Sequence, residues 1–253
     1  MKRRATRRSP LDRLARLVRG ASWLLESPDL LPLYLRGVPP RLAASLDQPW
    51  LRDLQIETIL DVGANTGQFA LAAHRAFPSA EILSFEPLAE CYATLAKRLR
   101  ALPRARAFNI ALGEAPGTRS FERNVYSPSS SFLPLGVAHQ RSFPFARDTT
   151  EVEVQIDTLD AVVDRLAPAE PMLIKIDVQG YEDRVLQGAQ RTLRRARALL
   201  VETSFLPLYE GQACHDGICA QLAEHGFRYH GCLDQLTEPG SARILSADSV
   251  FLR

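Results

Sequence analysis

The sequence predicts an α/β fold, with a mostly parallel β-sheet, helices on both of its faces and an antiparallel last strand. Two observations support this prediction. Residues 57–87 have the pattern of a complete strand–helix–strand unit, with a glycine-bearing turn where the first strand meets the helix. Near the C-terminus, two strand-like runs are joined by a segment without a helical pattern, and strands connected in this way pair antiparallel.

Composition sets limits on the kind of protein this is. The 253 residues suffice for one large α/β domain with a substantial core. A net charge of +2 gives no general attraction to nucleic acid, so we expect no nucleic-acid partner. The four cysteines form no C-x-x-C pair, which favours reduced thiols and a cytoplasmic location. No uninterrupted apolar run approaches the ~18 residues that a membrane-spanning helix needs.

Residues 1–50 differ from the rest of the chain. Residues 1–8 are rich in lysine and arginine, and leucines recur at helical spacing over 11–25 with arginines between them. This pattern predicts a basic amphipathic helix, which can lie on an anionic membrane surface; the alternative, which we favour, is a helix packed on the folded domain. Prolines punctuate 28–50 and predict an irregular connector, so the folded domain is expected over 51–253.

The strand–helix–strand unit at 57–87 carries the most informative pattern in the chain. Residues 58–60 form a short apolar run that ends at Asp61, as in a buried parallel strand. Gly-Ala-Asn-Thr-Gly follows at 63–67, and then apolar residues recur at helical spacing. The second strand is expected over 81–85 and stops at Glu86.

The glycine turn and the acid after the second strand predict a bound adenosine. Gly63 and Gly67 allow a sharp turn and a close approach of the backbone to a ligand. The N–H groups at the start of the helix favour polar or anionic ligand atoms. Glu86 lies 23 positions after Gly63, where an acidic residue can accept hydrogen bonds from ribose hydroxyls. The alternative is a plain strand–turn–helix with no ligand.

The spacing of the glycines indicates which adenosine compound binds. A dinucleotide site has the pattern G-x-G-x-x-G, whereas this chain has D-x-G-x-N-x-G. The carboxylate of Asp61 would repel a pyrophosphate but suits an ammonium group. The pattern therefore favours S-adenosyl-L-methionine, whose amino-acid part carries an ammonium, over NAD or FAD.

Four motifs in order resemble those of the FkbM-type methyltransferases. They are LDVGANTGQF at 60–69, FEP at 85–87, NIALG at 109–113 and IKIDVQGYE at 174–182. The resemblance runs from about Glu57 to the C-terminus. It implies a class I methyltransferase fold, a Rossmann-like seven-stranded sheet that uses S-adenosylmethionine. It also implies methylation of a hydroxyl group on a sugar, glycan or secondary metabolite.

The turn and the resemblance together predict the residues that bind the cofactor. They are Asp61, Gly63, Asn65, Gly67, Phe69, Glu86, Asn109 and Ala111. In the family, the NIALG stretch lies along the adenine edge of the pocket, which implies an adenine or ribose contact for Asn109. A turn-capping asparagine is the alternative for this position.

Alternating helix and strand patterns continue after the first unit. The predicted elements are a helix over 89–102, strands over 105–111, 118–122 and 151–156, a helix that Asp157 caps, a strand over 171–177, a helix over 181–196, a strand over 198–201, a helix over 218–226, and strands over 227–233 and 247–252.

A long segment near 123–150 does not fit this alternation. Loops of this length in compact domains are usually lids, binding loops or disordered. The segment carries aromatic residues and a serine run: Tyr126, Ser129, Ser130, Ser131, Phe132 and Phe143. The resemblance places a serine-rich stretch near the active site, and aromatic rings suit a sugar face or a sulfonium. We expect an acceptor-binding lid here.

Acidic residues follow two neighbouring strands at their carboxyl ends. Asp177 ends the strand over 171–177, where ligands bind in open parallel sheets, and Glu202 ends the next strand. Asp177 could act as a general base, share a Mg²⁺ ion with Glu202, or orient the acceptor or bond to Lys175. We predict Asp177 as the catalytic residue and no metal site. For Glu182, a capping or dipole-stabilising role is favoured.

These observations leave three functions open. The leading hypothesis is an S-adenosylmethionine-dependent O-methyltransferase acting on a small molecule or glycan. The alternatives are a nucleotide-dependent oxidoreductase and a non-catalytic cofactor-binding module. His215 could serve as a base, although its polar surroundings favour a surface histidine.

Overall fold

The computed structural model describes residues 24–253. The predicted basic tail, and nearly all of the predicted helix over 11–25, lie outside the described residues. Within the described part, no helix is long and apolar enough to cross a membrane.

Two β-sheets organise the described chain. Its strands, in chain order, are β1 (Thr58–Val62), β2 (Glu81–Phe85), β3 (Ala105–Phe108), β4 (Ala111–Leu112), β5 (Gly117–Asn124), β6 (Thr149–Asp157), β7 (Met172–Ile176), β8 (Ala196–Ser204), β9 (Arg228–Thr237) and β10 (Ile244–Leu252).

The main sheet has seven strands in the order β3-β2-β1-β7-β8-β10-β9. β1 pairs in parallel with β2 and β7, and β8 pairs in parallel with β7. β10 pairs antiparallel with both β8 and β9. The predicted fold class, a mostly parallel sheet finished by an antiparallel strand, is confirmed.

Helices cover both faces of this sheet. In chain order they are α1 (Leu31–Leu35), α2 (Pro40–Leu46), α3 (Pro49–Arg52), α4 (Gln68–Ala76), α5 (Ala89–Leu99), α6 (Val137–Ser142), α7 (Leu159–Leu166), α8 (Glu182–Gln187), α9 (Gln190–Leu193) and α10 (His215–Ala223). All residues of β1 are buried because neighbouring side chains point to opposite faces and both faces are covered. Ile59 belongs to one hydrophobic core cluster and Leu60 to another.

The second sheet departs from the sequence prediction. The prediction of a single strand over 105–111 is wrong, because β3 ends at Phe108. Ala111 instead pairs with Ile156 of β6, in a second sheet of order β4-β6-β5. The side-chain amide of Asn109 lies at the break and donates to the carbonyl oxygens of Glu86 (2.9 Å) and Pro87 (2.8 Å). These bonds hold the chain where it leaves the main sheet.

The proline-rich region is helical rather than irregular. It forms a 3₁₀ turn at Pro28–Leu30, followed by α1, α2 and α3. A proline occupies the first or second position of each of these elements, where its missing N–H costs no helical hydrogen bond. Leu46 and Leu51 are fully buried and belong to the same core cluster as Ile59.

Two more helix predictions need correction. Thr158, not Asp157, caps α7, since its hydroxyl oxygen accepts the N–H of Ala161 at 3.2 Å. The predicted helix over 181–196 is interrupted between α8 and α9, at Gly188. A Cβ on Gly188 would lie 2.0 Å from the carbonyl oxygen of Gly113, so the interruption accompanies a close approach to the chain after β4.

β8 is longer than predicted, and this changes the position of Glu202. The strand continues to Ser204 because it pairs with β10 over its whole C-terminal half. Glu202 therefore lies inside the strand, directly opposite Asp248 of β10.

Candidate functional site

The loop between β1 and α4 has the backbone geometry that its glycines predict. Gly63 and Gly67 have φ of +76° and +90°, a region that glycine adopts without strain. Asn65 also has a positive φ, and its side-chain oxygen accepts the N–H of Thr66 at 2.8 Å. Its amide donates to the hydroxyl of Ser127 at 3.2 Å, which connects this loop to the serine-rich segment.

Glu86 lies beside this loop at the end of β2. One carboxylate oxygen accepts the N–H of Asn65 at 2.8 Å and the other accepts the N–H of Leu88 at 2.9 Å. The residue is only 5% exposed, and burial raises the pKa of its carboxyl group to about 7. Since a carboxylate offers about four acceptor positions, both oxygens can accept a further hydrogen bond.

A cavity of about 270 Å³ opens between this loop, the end of β2 and the serine-rich segment. Its polar lining includes Gly63, Asn65, Glu86 and Asp177. Its apolar walls include Phe85, Ile110, Leu112, Phe121, Phe132 and Val178. Apolar walls together with a carboxylate acceptor such as Glu86 can bind a nucleoside.

The predicted cofactor residues are only partly gathered here. Those that line this cavity are Gly63, Asn65, Glu86 and Ala111. Phe69 lines an adjoining cavity of about 190 Å³, together with Lys175. Asn109 lies outside both cavities, and its amide caps the turn after Glu86, which is the alternative that the sequence left open. Gly67 packs against Leu95.

Asp61 is fully buried and faces Lys175 instead of a cavity. The two residues are directly opposite in the parallel pairing of β1 and β7, and their charged atoms are 3.4 Å apart. Burial raises the pKa of Asp61, and Lys175 reduces that shift. The sequence predicted that this carboxylate faces the ammonium group of a ligand. In the structure the ammonium group beside it is that of Lys175.

Lys175 connects the first loop with the end of β7. Its Nζ donates to the carbonyl oxygen of Gly63 at 2.7 Å and lies 3.6 Å from a carboxylate oxygen of Asp177. Burial alone would lower the pKa of Lys175, but Asp177 and Asp61 raise it above its ordinary value. From the sequence, Lys175 was considered only as a partner of Asp177. The contact between Lys175 and Asp61 depends on the pairing register of β1 and β7, which the sequence does not reveal.

Asp177 and Glu202 are linked through one residue, Gln179. The side-chain amide of Gln179 donates to Asp177 at 2.8 Å and to Glu202 at 2.6 Å. The hydroxyl of Tyr209 donates to the amide oxygen of Gln179 at 2.8 Å and so fixes the orientation of the amide. The alternative of a shared magnesium ion requires both carboxylates as ligands. In this structure the amide N–H₂ group of Gln179 lies between them. Residues 24–253 contain no group of His, Cys, Asp and Glu arranged to hold a metal.

A second, larger cavity of about 530 Å³ shares Asp177 and Gln179 with the first. Aromatic residues of the long segment between β5 and β6 form one wall: Tyr126, Phe143 and Phe145. Carboxylates on β8, β9 and β10 also line this cavity: Glu202, Asp234 and Asp248. Asp177 is therefore accessible from both cavities, with 39% of its side chain exposed.

Two further contacts shape the loop after Asp177. The hydroxyl of Ser131 donates to the carbonyl oxygen of Gln179 at 2.7 Å. The carboxylate of Glu182 accepts the N–H groups of Val178 and Gly180, each at 3.0 Å, and burial raises its pKa to about 7. These bonds hold the loop that precedes α8 and do not cap the helix, whose N-cap residue Tyr181 makes no side-chain capping bond; a dipole-stabilising role for Glu182 stays a prediction.

His215 is remote from this region. Its Nδ1 lies 2.9 Å from the hydroxyl of Thr203, and its ring packs between Phe205 and Tyr229. It lines neither cavity.

Comparison with known proteins assigns the chain to a family. The family model for the methyltransferase FkbM domain matches residues 61–229. The 2-O-methyltransferase NoeI of Sinorhizobium fredii is 28% identical over 160 residues, which cover 61% of this chain and 66% of NoeI. The 31-O-demethyl-FK506 methyltransferase FkbM of Streptomyces tacrolimicus is 27% identical over 196 residues, covering 68% of this chain and 72% of that protein.

A solved structure supports the fold. The crystal structure of methyltransferase FkbM from Methylobacillus flagellatus KT matches 92% of this chain with a TM-score of 0.51 and 14% sequence identity. The chain spans 60% of that protein, as it spans 66% of NoeI.

Proposed function

The chain belongs to the FkbM methyltransferase domain family, and on that premise we propose that it transfers a methyl group from S-adenosylmethionine to a hydroxyl group of a sugar or a secondary metabolite. The main structural support is that two cavities of different character meet at Asp177. One suits the adenosyl part of the donor, and the other is large enough and varied enough for an acceptor.

The smaller cavity fits the adenosyl group by the chemistry of its lining. Glu86 retains acceptor positions for ribose hydroxyls after binding the two backbone N–H groups. Its apolar walls provide flat surfaces for an adenine ring. In this proposal, the direct contacts come from Gly63, Asn65, Glu86 and Ala111.

The other predicted residues act indirectly. Asp61 holds Lys175, which in turn binds the carbonyl oxygen of Gly63 and fixes the loop. Phe69 lies under the ammonium of Lys175, with 5.7 Å between Nζ and the ring centre. Asn109 holds the backbone at Glu86 and Pro87.

In this proposal Asp177 is the general base. When bound, S-adenosylmethionine supplies a methyl group already activated by a sulfonium, so the chain's main tasks are alignment and removal of one proton. Gln179 and Lys175 hold the two oxygens of the Asp177 carboxylate at the junction of the cavities. A base placed on an acceptor hydroxyl contributes roughly 10²–10⁴-fold, and alignment can contribute ~7–11 kcal/mol.

The relatives support a hydroxyl acceptor without identifying it. NoeI is named as a 2-O-methyltransferase, and the Streptomyces protein as a 31-O-demethyl-FK506 methyltransferase. Both names refer to methylation at oxygen. Family membership also argues against the oxidoreductase alternative. Cytoplasmic location and membrane contact of the N-terminal segment stay predictions of the sequence.

The deciding experiment measures cofactor binding and methyl transfer separately. Calorimetry with S-adenosylhomocysteine and with NAD should show binding of the former only. A labelled-methyl assay against glycans and polyketides, with and without magnesium, should then identify an acceptor. If S-adenosylhomocysteine does not bind, the proposed function is wrong; if it binds and no acceptor in a broad panel is methylated, the non-catalytic alternative gains support.

A further inference from the structure

The larger cavity has an unusual distribution of charge. The carboxylates that line it are Asp177, Glu202, Asp234 and Asp248, and neither lysine nor arginine is among its lining residues. Asp234 is neutralised by Arg41 at 2.6 Å. A phosphate or carboxylate would meet no lysine or arginine in this lining, so a nucleotide-activated sugar is a poor ligand for it.

The pairing of Glu202 with Asp248 has a cost that packing does not explain. These side chains are directly opposite on β8 and β10, an arrangement in which like charges repel. Gln179 and Ser246 donate to Glu202, whereas the carboxylate of Asp248 has no hydrogen bond or ion pair with any residue in 24–253. Burial raises the pKa of Asp248 to about 7; Asp177 and Asp234 add to the shift, and the charges of Lys175 and Arg41 reduce it. A cation between the two acids would remove this cost.

The aromatic residues of the same lining suit the same kind of ligand. The rings of Tyr126 and Phe145 pack edge to face at 5.4 Å, and those of Phe143 and Phe145 at 6.1 Å. Aromatic faces bind both the C–H surface of a ring-shaped polyol and an ammonium group.

His139 is a second, independent feature of this cavity. It lines the same cavity, is only 4% exposed, and its Nδ1 has no hydrogen-bond partner within the described part of the chain. Its Nε2 is already engaged with the hydroxyl of Ser129 at 3.2 Å. Since buried polar atoms are nearly always paired, this unpaired nitrogen of a lining residue is consistent with a polar ligand in the cavity.

We propose that the methyl acceptor is a cationic polyol, an amino sugar or aminocyclitol, whose ammonium group lies between Glu202 and Asp248. The ring would then lie against Tyr126 and Phe145, with a hydroxyl group directed to Asp177. This inference rests on the proposed function, because it names the acceptor class for the same site. Asp248 has a competing use, which is to bind the ammonium group of the methyl donor. It also lines the third cavity, of about 190 Å³, together with Phe69 and Lys175.

The test uses the full chain saturated with S-adenosylhomocysteine and three probes of different charge. Neamine is the cationic probe, tetra-N-acetylneamine is its neutral counterpart, and UDP-glucose is anionic. We expect calorimetry to show neamine binding at least about tenfold more tightly than the acetylated form, with no binding of UDP-glucose. Asp248→Asn, which is isosteric, should abolish this preference and leave the affinity for S-adenosylhomocysteine within about twofold. Glu224→Gln, at an exposed position outside both cavities, is the matched control and should behave as the parent.

The outcomes separate the two proposals. Equal binding of the neutral and cationic probes, or binding of neither, overturns the inference and leaves the proposed function intact. Loss of S-adenosylhomocysteine affinity in Asp248→Asn also overturns it, because the carboxylate would then serve the donor. If the parent protein fails to bind S-adenosylhomocysteine, both proposals are wrong.

Discussion

Gly63 and Asp177 approach each other so closely that a Cβ on Gly63 would lie 1.9 Å from the carbonyl oxygen of Asp177. The N–H of Asp177 donates to the carbonyl oxygen of Val62 at 3.1 Å, so the ends of β1 and β7 are joined at this point. Both cavities open beside this contact. The position of the proposed base is therefore set by the backbone of the proposed cofactor loop.

Gly63→Ala should disrupt the site and the fold together. The new Cβ must push the two strand ends apart, and the residue would also hold a φ of +76°, which costs an alanine about 1–2 kcal/mol. We expect a loss of unfolding free energy well above that range and loss of S-adenosylhomocysteine binding, measured by urea unfolding and calorimetry. Gly211→Ala is a matched control with the same φ and open space around its Cβ. Equal losses in the two variants would show that the contact with Asp177 is unimportant.

Asp177→Asn should separate chemistry from cofactor binding. Its side chain keeps its size and can still accept the bond from Gln179, but it can no longer take a proton. Turnover in the labelled-methyl assay should fall by roughly 10²–10⁴-fold, while calorimetry shows S-adenosylhomocysteine affinity changed by less than about threefold. Parent-like turnover would exclude a base at this position.

Glu86→Gln should weaken cofactor binding and remove its pH dependence. The pKa of Glu86 is raised to about 7 by burial, so below pH 7 the free protein carries the carboxyl mainly protonated. Ribose hydroxyls favour the ionised acceptor, and the affinity for S-adenosylhomocysteine should therefore rise as the pH passes from 6 to 8. The variant should bind at least about tenfold more weakly at pH 8 and show a flat profile, since bonds to a charged acceptor are worth ~1.5–3 kcal/mol. A pH profile identical to that of the parent would remove Glu86 from the ribose site.

The local parts of this arrangement could be predicted from the sequence. The turn at 63–67 and the position of Glu86 at the end of β2 follow from glycine spacing and the length of the intervening helix. Asp177 at the end of β7 follows from the rule that ligands bind at the carboxyl ends of parallel strands. Each of these positions depends on residues close together in the chain.

The remaining parts depend on strand register, which the sequence does not encode locally. Asp61 faces Lys175 because β1 and β7 pair with this alignment, and Glu202 faces Asp248 because β8 continues beyond its expected end. A shift of one residue would send either side chain to the opposite face of the sheet. The short helices over 28–52 were missed because their apolar residues are too few to show a period and are fixed by packing on the core.

Asp248→Asn should change how stability depends on pH. The pKa of Asp248 is about 7 in the folded protein against an ordinary value of 3.8, so between these pH values the native state binds more protons than the unfolded state. The contribution of Asp248 to the unfolding free energy is fully present below pH 4 and is lost as the pH rises through 7. Asparagine does not titrate, so the fall in unfolding free energy from pH 5 to pH 8 should be smaller in the variant, by an amount on the order of 1–4 kcal/mol. Urea unfolding at the two pH values measures this difference. Glu86 and Glu182 add the same pH dependence of the unfolding free energy to both proteins. The difference between parent and variant therefore isolates the Glu202–Asp248 pair. The same slope in parent and variant would mean that solvent reaches Asp248 freely, and the cost that a bound cation is proposed to remove would not exist.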